Sequence, residues 1–269
     1  MSFFHYTDAN AALSIIQNNE LWLTDIRFMN DSEESLDGAK YLMSAISSLL
    51  LESDANSNRA LERLKEFDEQ YVKDGLLDDQ VFICSFSKTA DHLVQWRSYG
   101  SYAIEFHDAL KEELKDFYPC YYDEHVKRGE ASSFVNKTRQ AITLAYQAGE
   151  MDWSNAVMEH MWKLADYVHQ FKHRSFSDEN EVRLIRLMNS LSDNINYRVR
   201  GNLVIPYLSV KFNLDHVKAI HVGPMKDQDL AVTSMKSFIH NLEMRRRKVG
   251  DYGSYKIQVI PSLIPYRQL

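Results

Sequence analysis

"VFICSFS", residues 81–87, is the stretch whose reading decides the fold. It is short, rich in β-branched and aromatic residues, and followed by a polar turn, which makes it the central-strand candidate of the chain. On such a strand side chains alternate, so Ser85 and Ser87 place two hydroxyls on one face of an otherwise apolar run.

Working outward toward the N-terminus, Phe3, Phe4, Tyr6 and Thr7 suit a short buried strand. Asp8 caps a helix expected over 9–18, with Ala12, Leu13, Ile15 and Ile16 as its apolar stripe. "LWLTDIRF" reads as a second strand, and "MNDSEE" as a loop that caps a further helix. Residues 35–73 carry helical periodicity in two pieces, split by "ESDANSNR". Toward the C-terminus, "HLVQWRSYG" reads as a short helix ending at Gly100 and "YAIEF" (102–106) as the next strand. A short helix over 108–116, strand character in "FYPCYYDE" and a mostly helical stretch from about 131 to 170 follow. From 172 the chain turns to strands again in "ENEVRLIRLM", "YRVRGNLVIPYLSV" and "VKAIHVGP"; a helix over 226–246 precedes a closing strand in "YKIQVIPSLIPYR". Strands and helices do not alternate strictly, so the expected class is α+β rather than doubly wound α/β. No GxGxxG and no GxxxxGK[ST] occurs, so neither a Rossmann cofactor site nor a P-loop is supported.

With 269 residues, 45% hydrophobic and 26% charged, the chain suits one domain over 1–269 with helical elaborations near 35–75 and 130–170. The opening "MSFFHYTDAN" lacks the features of a leader, and no window approaches the length of a membrane span, so a cytoplasmic protein without membrane contact is expected. Cys84 and Cys120 form no ligand cluster, which argues against a disulfide framework or a structural zinc. A net charge of −7 argues against nucleic-acid binding over the whole surface. Lys236 and the run Arg245 to Lys248 fit a solvated helix end better than a nucleic-acid patch, because cations complement a helix C-terminus.

Three stretches hold polar residues that packing alone would not choose. In His5-Tyr6-Thr7 the histidine shares a strand face with Thr7 and needs a partner; a backbone carbonyl would satisfy it structurally. Ser85 and Ser87 are followed by Trp96, Arg97 and Tyr99, a grouping that could hold a phosphate or an aromatic ring. In "KHRSFSDENEVRLI", Glu179 and Glu181 are two apart at a strand opening, so their carboxylates are expected on one side with Arg183 continuing the line. Two like charges so placed would raise one pKa.

Together, "FHYTDANAALSIIQNNELWLTDIRFMND", "FICSFSKTADHLVQWRSYG", "FKHRSFSDENEVRLI" and "IPSLIPYR" resemble the bacterial domain-of-unknown-function family numbered 2971, from about residue 3 to 268. More distantly, a first-strand His, a middle-strand Ser-x-Ser and a Glu-x-Glu opening a later strand are similar to the ADP-ribosyltransferase superfamily. That resemblance implies a split mixed or antiparallel sheet with helical insertions. It also implies an NAD-dependent ADP-ribosyltransferase that cleaves the nicotinamide–ribose bond, with NAD as substrate and no metal. The implied roles fall on Glu181 as the carboxylate holding the ribose hydroxyl, Glu179 as the upstream carboxylate, His5 on the adenosine-side ribose, and Ser85 or Ser87 bracing the nicotinamide pocket. Tyr6 and Thr7 flank the histidine; Trp22, Trp96 or Tyr99 would stack on the leaving ring, and Arg97 or Lys172 would neutralise the pyrophosphate. Partners implied by analogy are a macromolecular acceptor, protein or nucleic acid, and an antitoxin or sensor in a toxin or phage-defence setting. The alternatives are a nucleotide-sensing or partner-docking module without turnover, and an NAD glycohydrolase. A metal-dependent enzyme built from Asp25, Asp31, Glu179 and Glu181 is least supported, for want of ligand spacing.

Overall fold

The computed structural model describes residues 2–29, 34–74, 79–189, 192–250 and 256–265. Strand β1 (Ser2–Thr7) leads through the Asp8 cap, whose carboxylate accepts from the Ala11 amide, into helix α1 (Ala9–Asn18). Asn19 in the left-handed conformation ends that helix and β2 (Glu20–Asp25) follows. The helices α2 (Glu34–Ser47) and α3 (Ala55–Asp74) precede the central strand β3 (Asp79–Ser87). Then come α4 (Leu93–Tyr99), β4 (Tyr102–His107), α5 (Leu110–Leu114) and β5 (Phe117–Pro119). Two long helices, α6 (Glu124–Gln147) and α7 (Asn155–Val168), separate these from β6 (Glu181–Asn189). The chain closes with the hairpin β7 (Ile195–Arg200) and β8 (Leu203–Lys211), then β9 (Val217–Val222), α8 (Gln228–Lys248) and β10 (Gln258–Pro261).

The result is an α+β fold around one mixed sheet, in the order β10-β9-β4-β1-β3-β2-β8-β7, with β6 on β3 and β5 on β6. Only the β9–β10 pairing is parallel among the described ladders. The feature that matters for function is at β3. Strand β6 pairs with it along its whole length, from Asp79 opposite Asn189 to Ser87 opposite Glu181. Its other edge is shared: β1 touches it only where Phe4 faces Ser87, and β2 only where Thr24 and Asp25 face Ile83 and Phe82. The sheet therefore splits over Cys84, Ser85 and Phe86.

Alternation along β3 divides the packing. Phe82, Cys84 and Phe86 join Phe3, Leu21, Leu23, Ile104 and Phe106 in the core under α1 and α8. The opposite face carries Ile83, Ser85 and Ser87, with smaller clusters formed by Ile26, Val81, Ile83 and Ile185, and by Phe4, Tyr6, Trp96 and Ala103. The helices α2, α3, α6 and α7 bury a second core of their own, including Leu42, Leu64, Val135 and Leu164. No helix among the described residues is long and apolar enough to cross a membrane. Cys84 and Cys120 are buried thiols, not joined in a disulfide.

Gly100, expected as a helix stop, is required for a sharper reason. Its φ is 127°, and a β-carbon there would lie 2.5 Å from the Thr7 carbonyl oxygen. Gly100→Ala is expected to cost about 1–3 kcal/mol of stability through backbone strain alone. A urea midpoint equal to that of the parent would show that the β1–α4 contact yields freely.

Candidate functional site

The site is built where β6 begins beside the end of β3. Segment 170–172 is tied to 121, with the Tyr121 amide donating to the Gln170 carbonyl and the Lys172 amide to the Tyr121 carbonyl. A 3-10 turn over Arg174–Glu179 follows, and Asn180 in the left-handed conformation (φ 44°) redirects the chain into β6. Glu179 therefore lies before the strand rather than on it, which corrects the expectation that alternation alone aligns it with Glu181. The two carboxylates nevertheless converge, because Lys172 Nζ donates to Glu179 Oε2 at 2.5 Å and to Glu181 Oε2 at 2.6 Å.

The remaining valences are filled by near neighbours. Arg183 Nε donates to Glu181 Oε1 at 2.8 Å and its terminal nitrogen to Oε2 at 3.2 Å, while its other terminal nitrogen donates to the His169 carbonyl. Tyr99 donates to Glu179 Oε1 at 3.1 Å, Ser87 to the Glu179 carbonyl at 2.6 Å, and the Glu181 amide to the Tyr122 hydroxyl at 2.8 Å. Lys172, Glu179, Glu181 and Arg183 are all buried, so two cations and two anions balance in a low-dielectric pocket.

Electrostatics follow that balance. Burial alone would push the Glu181 carboxyl up, but Arg183 and Lys172, by charge and by hydrogen bond, overcome it and hold the pKa at about 2. For Glu181 the raised pKa expected from two like charges is thus corrected: a lysine cross-links its carboxylate to that of Glu179. Burial, with the Glu179 charge adding, pushes the Tyr99 hydroxyl up, so it stays a neutral donor.

Ser85 and Ser87 share this face, as their spacing predicts: Ser87 pairs with Glu181 and Ser85 with Arg183. Ser87 is fully used by the Glu179 carbonyl and the Thr89 amide. Ser85 Oγ is buried and has no hydrogen-bond partner among the described residues, an orphan hydroxyl beside an ion network.

His5 occupies the split. Since Phe4 shares the Ser87 face, His5 is rooted on the other, with its ring 5.5 Å from that of Phe86 and Nδ1 3.6 Å from Cys84 Sγ. Its Nδ1 lies 2.9 Å from the Ser85 carbonyl oxygen, at a position where neither β1 nor β2 pairs with β3. Burial pulls the imidazole below its ordinary pKa against that bond, so the ring is neutral. With Nδ1–H donated to a carbonyl, Nε2 is left as the acceptor.

The other predicted residues separate. Tyr6 donates to the Thr89 carbonyl and meets Trp96 edge to face at 4.7 Å; Trp96, 5% exposed, donates to Asp91 and offers no free ring to a ligand. Thr7 is buried at the end of β1. Arg97 is exposed on α4, while Lys172 is committed to the glutamates rather than to a phosphate. Trp22 lies on β2 against Tyr207, whose ring is 4.6 Å away. Asp25 is fully buried in a pair with Arg27, Asp31 lies outside the described residues, and no group of His, Cys, Asp and Glu among the described residues could hold a metal. Sequence reasoning missed Tyr122 and Arg198; for the latter, the alternating Arg198 and Arg200 of "YRVRG" were the available signal. Comparison of the chain with protein-family models, with curated proteins and with solved structures finds no match.

Proposed function

We propose that this protein is an NAD-cleaving ADP-ribosyltransferase whose carboxylate is Glu181. The observation that carries the reading is the juxtaposition on two adjacent central strands of an ionised, buried Glu181 opposite Ser87, with the unpartnered Ser85 hydroxyl one step along the same face. Departure of nicotinamide leaves positive charge on the ribose. A carboxylate gripping the neighbouring hydroxyl stabilises that charge more in the transition state than in the ground state. Lys172 bridges both glutamates, so it can swing onto Glu179 and release Glu181 Oε2 for the ribose hydroxyl. The orphan Ser85 hydroxyl suits the nicotinamide amide, while His5, rooted on the opposite face of the sheet and bonded to the Ser85 carbonyl, stands outside this grip.

One observation favours a second reading, a module that binds a nucleotide without turnover: Glu181 is 4% exposed and both of its oxygens are engaged. Incubation with NAD labelled on the adenylate half separates the two. Release of nicotinamide with label transferred to cell extract is the expected result, and the nuclease or protease that removes the label identifies the acceptor class. Release without transfer identifies a glycohydrolase. Binding of NAD with no release from any extract overturns the transferase and leaves the binding module.

A further inference from the structure

The sheet face that carries Ser85 and Glu181 continues past β3 onto β2, β8 and β7, where a different set of residues gathers. Thr24 pairs with Ile83 and with Tyr207, Trp22 pairs with Ser209, and Asn196 pairs with Tyr207, so Trp22, Thr24, Tyr207, Asn196, Arg198 and Arg200 share that face. The rings of Trp22 and Tyr207 lie 4.6 Å apart, inclined at 37°. The Arg198 guanidinium sits over both, 5.4 and 5.7 Å from their centroids, anchored by a 2.7 Å bond to the Thr24 hydroxyl. None of the hydrophobic clusters among the described residues includes Trp22 or Tyr207, and Asn196 and Arg200 are exposed. Two half-buried aromatic rings, an oriented guanidinium and an exposed arginine are more than the hairpin needs to pack.

Charge at this end of the sheet runs against that of the whole chain. Overall the protein is acidic, at −7. Here the cations are Arg27, Arg198, Arg200 and Lys211; Asp25 is fully buried on Arg27, Glu20 is held by Lys211 and the Trp22 indole, and the Asp8 charge acts on Arg198. That leaves Arg200 as an exposed cation beside the rings, which favours an anionic partner. Planar rings beside arginines on an open sheet are what unpaired bases and their phosphates require; a duplex hides its base faces.

We infer that this platform, Trp22, Tyr207, Arg198 and Arg200 on the exposed face of β2–β8–β7, binds single-stranded nucleic acid. The binding is a property of the face itself and is measured without NAD, so its failure is distinct from failure of the proposed transferase. The probes are fluorescently labelled single-stranded DNA and RNA of about 15 nucleotides, and the matching DNA duplex, titrated with the full chain and followed by anisotropy at about 50 and about 200 mM salt. The expected result is micromolar affinity for a single strand, at least about tenfold weaker affinity for the duplex, and marked weakening by salt. Arg198→Gln with Arg200→Gln is expected to lower affinity by at least about tenfold and to shallow the salt slope by roughly 0.7 per lost contact. Arg200→Glu alone, at an exposed position, tests the same point apart from the Thr24 anchor. Val199→Ser, on the opposite face of the hairpin, is expected to bind as the parent does. Absence of binding at about 100 μM protein, equal affinity for the duplex, indifference to both arginine changes, or loss of binding in Val199→Ser would each overturn the inference.

Discussion

Glu181→Gln is expected to lower nicotinamide release by at least about 10³-fold, equivalent to about 4 kcal/mol of transition-state stabilisation. Gln preserves the shape and the acceptor oxygen but not the charge that a cationic ribose needs. The same change leaves the two buried cations, Lys172 and Arg183, with Glu179 as the remaining anion of the network, so some loss of stability accompanies it. Circular dichroism and a thermal scan must therefore show a folded variant at the assay temperature. Glu179→Gln supplies the comparison, because it perturbs the same buried network from the other side. In the proposed reading Glu179 is the upstream carboxylate that serves the acceptor. Its variant is expected to keep nicotinamide release while losing transfer. If both variants lose release in proportion to their loss of stability, the network is structural. Undiminished release in folded Glu181→Gln would remove the assignment outright.

The parts of the fold that were legible in the sequence are those fixed locally. The "VFICSFS" run forms the central strand, and the Asp8 cap and left-handed Asn19 bound α1 at 9–18, as cap chemistry requires. The Ser85/Ser87 alternation also holds, since a strand allows no other arrangement. What was not legible arises between distant segments. Nothing in the composition of β1 or β2 announces that both lean on the same edge of β3, yet that sharing leaves the Ser85 carbonyl to be met by His5. Alternation misplaced Glu179 because Asn180 leaves extended geometry, which period-two counting cannot register. The expected repulsion between the glutamates failed because their neutralising cation comes from outside the counted strand, on a segment tied to Tyr121. Arg198 owes its position to Thr24, which lies 174 residues away in the chain.

Lys172→Met should expose how much of the stability rests on that cation, through the direction of its pH dependence. In the parent, Glu181 has a folded pKa near 2, well below the value of about 4.3 for an unfolded glutamate. A depressed carboxylate pKa contributes stability that is fully present above the unfolded value and is lost as pH falls toward the folded one. The parent should therefore weaken on acidification from about pH 5 to about pH 2, by roughly 3 kcal/mol from this group. Removing Lys172 leaves two buried carboxylates with only Arg183 to offset them, a loss of about 3–5 kcal/mol at neutral pH and of about 10 °C in melting temperature. Methionine fills the space of the aliphatic stem without supplying a charge. The glutamate pair must then share a proton to stay buried, and protons become easier to supply as the pH falls. Between about pH 7 and pH 5 the variant should gain stability while the parent holds level. Thermal melts across that range decide the matter: profiles that run parallel would mean that Lys172 does not hold the glutamates together, whereas profiles that converge on acidification would identify it as their common counter-ion.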